Sequence, residues 1–151
     1  MKRNEKELFT EKARTYVVCY SNECPMRNHC LRRRAGAFVA TDRLTKDCVN
    51  LLNPQTGTTS CPMFSSDQPV IMKRGMRAFF DEMPQKTAYA IRKMLLDHYG
   101  TNAYYKMRCG QMPITPARQQ FIEKVCRKAG WLLPPTFDQS STEYDWEARP
   151  A

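Results

Sequence analysis

Nothing in the 151-residue sequence approaches the roughly 20 consecutive apolar residues that a membrane-spanning helix needs. Met1 to Lys6 is charged and opens into no apolar signal core, so the expected location is the cytoplasm and no membrane partner is expected. Histidine is scarce, with only His29 and His98, and there is neither a glycine-rich phosphate loop nor an H-E-x-x-H pair. An enzyme built on this chain would have to depend on an iron–sulfur centre, and no catalytic residue is assigned. No internal repeat is present.

The chain does contain the makings of a packed protein, since 42% of its residues are hydrophobic and 16 are aromatic. Its length suits a metal-dependent module of about 65 residues fused to a small helical domain. Seven cysteines are an odd number, and in a reducing compartment they point to metal ligation plus buried thiols rather than disulfides. The net charge of +9 is uneven: residues 1–131 carry 23 basic and 11 acidic groups, while the last 20 residues are acidic. Such an excess favours an anionic partner, most simply nucleic acid, although it can also serve solubility alone.

Residues 1–15 are charged, lack a clear apolar period, and read as a loose basic arm or frayed helix. Residues 16–64 form a Cys-rich module with short strand candidates at 16–20, 37–40 and 49–52, and the basic cluster Arg32-Arg33-Arg34 follows its third cysteine. Residues 65–131 read as four helices. The first begins near Pro69 and runs to about 83; the second spans about 86–99 and stops at Gly100. A short third helix starts at Thr101 and ends before Gly110, and the fourth opens with Thr115 as N-cap and Pro116 in the first turn. Residues 132–151 form an acidic tail with Pro134-Pro135, Tyr144 and Trp146. The expected fold is therefore α+β, mainly α: a small four-cysteine metal-binding module, then a four-helix, helix-turn-helix-like domain.

Cys19, Cys24 and Cys30 are spaced C-x4-C-x5-C, and 30 residues then lead to Cys61; proline follows both Cys24 and Cys61. Short spacings let one loop supply several thiolates, and four thiolates close a tetrahedral site for a soft metal. Zinc is the first expectation, because ligation can fold a small turn-rich segment that lacks its own core. A four-iron, four-sulfur cluster uses the same ligand set and remains the alternative, beside a third reading in which the thiols are simply reduced and packed. His29 and Cys48 are spare ligands left outside the set. Cys48 reads as a buried strand thiol, and Cys126 as a core residue on the fourth helix.

The order helix, tight turn, short helix, loop, helix from Ile91 to Gly130 looks like a repressor-type helix-turn-helix. On that reading Asn102, Tyr105, Lys106 and Arg108 face DNA, Tyr104 and Met107 turn into the core, and Arg118 reaches a phosphate. An ordinary helical bundle with a solvated basic face is the plainer account of the same residues.

Four stretches also resemble an uncharacterised family of small proteins from Bacteroidetes bacteria. They are Tyr16 to Pro25, Cys30-Leu31-Arg32, Cys61-Pro62-Met63-Phe64, and the run from Tyr104 to Gln120 with Gly110 and Thr115-Pro116-Ala117. The resemblance brings no assigned activity. It implies that the family's four cysteines fall on Cys19, Cys24, Cys30 and Cys61, and it departs at Cys109 and Arg118. The functional expectation is a DNA-binding regulator or nucleoid-associated protein with a structural metal site, its partner double-stranded DNA. The alternative is a protein-interaction or RNA-, ribosome- or polymerase-associated adaptor, with a protein partner or a second copy of the chain; an iron–sulfur protein ranks third.

Overall fold

Asn4 starts the first helix by accepting the backbone N–H of Lys6 on its side chain, which satisfies one of the donors that every helix start leaves open. Glu5 and Glu7 then occupy the first turn and Lys12 the last, each matching the local end of the helix dipole. This helix, α1 (Glu5–Lys12), replaces the expected loose arm. Phe9 is what holds it. The ring is fully buried, with Phe38 at 5.3 Å, Tyr144 at 5.6 Å and Trp146 at 5.1 Å between centroids.

The computed structural model describes residues 3–148 and divides into two compact units. The first comprises the chain up to Gln68 together with the segment from Tyr144 onward; the second is Pro69–Glu143. The fold is mainly helical, with five α-helices and one two-stranded sheet.

In the first unit a 3-10 turn (Arg27–His29) precedes α2 (Leu31–Gly36), which buries Leu31 and Ala35 one turn apart. The strand candidates at 16–20 and 49–52 amount to one parallel bridge, Val18 to Cys48, with Val49 N donating to the Val18 carbonyl at 2.8 Å. The candidate at 37–40 is the turn that ends α2, where Phe38 N reaches the Ala35 carbonyl. Too few apolar residues alternate here to cover a sheet face, so turns and side-chain bonds take over.

The second unit corrects the first expected helix. Residues 70–74 are instead a strand, β1 (Val70–Arg74), paired antiparallel with β2 (Gln139–Glu143) so that Met72 faces Ser141. Ile71 is exposed and Met72 buried, the two-residue alternation of a strand, and Gly75 with φ +81° ends any helical path. Met76 and Phe79, which fit a helical stripe, enter the core from the turns beyond Gly75. Three helices follow in place of four: α3 (Gln85–Tyr99), α4 (Thr101–Arg108) and α5 (Pro116–Lys128). In α3, Ala88, Ile91 and Leu95 recur at three- and four-residue intervals and are buried; in α5, Ile122, Val125 and Cys126 are. Thr115 caps α5 by accepting the N–H of Arg118, and Pro116 fills the first turn.

The acidic tail expected over 132–151 is divided between the units. Gln139–Glu143 supplies β2 to the second, whereas Tyr144 and Trp146 pack against the aromatic cluster of the first.

Candidate metal centre and basic surfaces

Each of the four cysteines is placed by its backbone. Cys19 N donates to the Arg32 carbonyl at 2.9 Å, which ties the first cysteine to α2. Gly36 permits that approach: a Cβ there would lie 2.6 Å from the Cys19 carbonyl oxygen. Cys24 N donates to the buried Ser21 hydroxyl at 3.1 Å, and the Ser21 N–H points back to the Cys19 sulfur at 3.5 Å. Cys30 bridges Ser66 and immediately precedes α2, while Cys61 closes a turn by donating to the Thr58 carbonyl at 3.2 Å.

These placements bring Cys19, Cys24, Cys30 and Cys61 to the wall of one cavity of about 20 Å³. Burial pushes the Cys19 thiol above its ordinary range, and Cys30, Cys24 and Cys61 push it the same way, since neighbouring thiolates repel. Among the described residues, no group of three or more His, Cys, Asp or Glu side chains is already drawn together as a metal-ligand set. The four cysteines line one wall without forming such a set. His29 and Cys48 do not line the cavity, and Cys48 is exposed rather than buried in a strand. Cys109 is also exposed; Cys126 is buried in the helical core, where burial pushes its thiol up to about 11.

Arginines surround the same cavity. Arg32, only 9% exposed, donates from Nε to the Met63 carbonyl and from Nη1 to the Val17 carbonyl, both at 2.9 Å, and lies over the Tyr16 ring at 4.7 Å. One guanidinium thus ties together three segments that carry cysteines. Arg33 donates to the Ser21 carbonyl, and Arg27 to the Cys24 carbonyl. The basic cluster Arg32-Arg33-Arg34, which counts in sequence only toward the net positive charge, is therefore partly structural, which no spacing rule could have announced.

In the second unit, Asn102, Tyr105 and Lys106 are exposed on α4, Arg108 is half-buried, and Tyr104 and Met107 are fully buried. Arg118 in α5 donates from Nη1 to the Pro113 carbonyl at 2.8 Å, so it also braces its own loop. The connection between α3 and α4 is the single residue Gly100, shorter than the roughly three or four residues of a helix-turn-helix.

The model of a family of unknown function, DUF6078, matches residues 1–146. The chain belongs to that family. Neither the curated proteins nor the solved structures contain a match. For this DUF6078 member the site residues accordingly stand on the chemistry of the chain itself. No helix among its described residues is long and apolar enough to cross a membrane.

Proposed function

We propose that the protein is a nucleic-acid-binding regulator or nucleoid-associated protein whose first unit is organised by one structural zinc ion. The observation that carries the metal half is the meeting of four cysteines at one cavity of about 20 Å³. A cavity needs about 10–15 Å³ to hold one water-sized atom, so the space suits a single ion better than an eight-atom iron–sulfur cube. Four thiolates on Zn²⁺ carry a net charge of −2, and Arg27, Arg32 and Arg33 contribute to the wall of the same cavity, which sets three cationic residues around it. Those cations supply the compensation that a buried dianion requires. Zinc would be held by the four thiolates and would supply folding energy rather than chemistry.

The nucleic-acid half rests on charge. The first unit has 12 basic and 9 acidic residues, and the second 12 basic and 6 acidic. In the second unit Lys106 and Arg108 form no ion pair among the described residues, and Tyr105 beside them is exposed, as base stacking would require. With its one-residue turn, α4 is a basic, aromatic contact face rather than a standard recognition helix.

Fluorescence anisotropy with duplex DNA at two salt concentrations tests this reading. Binding should weaken steeply as salt rises, and Lys106→Ala with Arg108→Ala should lower the salt slope by about 2. Absence of binding at low salt would end it, and metal analysis of untagged protein decides zinc against iron. A protein-interaction adaptor is the second reading, favoured by Leu44 and Leu52, which are 100% and 93% exposed. A complex with a protein whose affinity ignores salt would select it.

A further inference from the structure

Two arginines of the cysteine module pair with no carboxylate among the described residues. Arg33 donates from Nε to the Ser21 carbonyl and from Nη2 to Asn22 Oδ1, both at 2.8 Å. Arg27 donates from Nη1 to the Cys24 carbonyl at 3.1 Å. All three acceptors are neutral, so these bonds fix the direction of the guanidiniums and leave their charge intact. Neither arginine forms an ion pair among the described residues. Arg34 differs, being paired with both Glu5 and Asp67.

Arg27, Arg33 and Arg34 share one open cleft of about 340 Å³ with Asn22, Asn28 and Ala37, and no carboxylate lines it. The Asn28 amide, exposed at the cleft, has no hydrogen bond among the described residues and is available to donate. Guanidinium forks offer paired N–H groups that match a tetrahedral oxyanion, and an adjacent amide can take a further oxygen. The volume is within the range of small-ligand sites, roughly 300–1,000 Å³. A zinc–thiolate centre would not exhaust this charge, because Arg27, Arg32 and Arg33 together exceed its net −2 by one.

We propose that this cleft binds a phosphate group. The inference deepens the nucleic-acid reading by naming the cysteine module, in addition to α4, as a surface that grips the backbone. It rests on that reading only for the source of the phosphate.

The test follows the arginine Nε–H resonances of the metal-loaded full chain by ¹H–¹⁵N NMR, titrating with inorganic phosphate and separately with a short DNA duplex. Arg27 and Arg33 should move saturably with both, and should stay still with chloride at equal ionic strength. Asn28→Asp places a carboxylate in the cleft without removing any bond that braces the cysteine loops, and should weaken phosphate binding about tenfold. Still resonances with phosphate, or unchanged affinity in Asn28→Asp, would overturn the site. If duplex binds while Arg27 and Arg33 stay still, the nucleic-acid reading survives and this site does not. If phosphate binds there and duplex does not, the site stands with a free phosphate compound as its ligand, and the nucleic-acid reading falls.

Discussion

Between Pro69 and Glu143 ten buried side chains, from Met76 to Cys126, form one continuous cluster, whereas the first unit gathers four: Phe9, Val18, Leu31 and Ala35. The first unit substitutes other devices for that missing volume. Arg32 and Arg33 tie loops to carbonyls, aromatic rings ring Phe9, and four cysteines line one cavity. The contrast shows two routes to a defined structure in one chain. A helical core offsets the entropy of ordering by burying area, while a turn-rich module of similar length buries less, and the proposed zinc ion would supply the remainder.

Metal removal should break this comparison most sharply, because a structural zinc ion supplies on the order of 10 kcal/mol at pH 7. Chelation should abolish amide protection across residues 16–67 and leave it in α3 and α5, as hydrogen exchange would read. Thiol counting gives a second readout. In metal-loaded protein only the exposed Cys48 and Cys109 should react quickly, the four cavity cysteines should join them after chelation, and Cys126 should wait for denaturant. Unchanged exchange after chelation would mean that packing alone holds the module.

The reverse experiment is Leu95→Ala. Leu95 is fully buried in the helical core, so truncation should cost about 2–5 kcal/mol and lower the melting temperature of the second unit. Metal content should not change. A variant that lost its metal would show that the two kinds of stabilisation are not separable.

How much of this was readable in advance follows from where each signal lies. The second and third helices announce themselves by apolar spacing and by Gly100, and the fourth by Thr115-Pro116, since caps and periodicity are local. β1 escapes local patterning because its partner, Gln139–Glu143, is polar and lies near the far end of the chain, with Val70 opposite Glu143 and Arg74 opposite Gln139, so only the pairing reveals the strand. Gly75 was the one local warning, a left-handed residue inside the supposed helix. The gathering of four cysteines could be anticipated from spacing and from family resemblance. The braces could not, since Arg32-Arg33-Arg34 carries the same charge whether it faces DNA or the Val17 and Met63 carbonyls. Nor does the composition of α1 disclose that Phe9 meets Tyr144 and Trp146 from the far end of the chain.

Two glycines sharpen the comparison at smaller scale, because each unit has one described glycine where an added methyl group would clash with a neighbour. At Gly36 a Cβ would press on the Cys19 backbone carbonyl at 2.6 Å, and a backbone cannot swing aside as a side chain does. Gly36→Ala should therefore displace a ligand-bearing segment and weaken metal affinity by about 10- to 100-fold, the range found for groups that orient metal ligands. At Gly75 the added Cβ would run into Asp138, whose carboxylate accepts the N–H groups of Arg77 and Ala78, and φ is +81° besides. Gly75→Ala should cost about 1–3 kcal/mol of stability in the second unit with metal affinity untouched. Competition with a metal indicator and thermal melts separate the two effects. Equal effects of both variants on metal affinity would contradict the division, because Gly75 belongs to the second unit and is not among the residues that line the cysteine cavity.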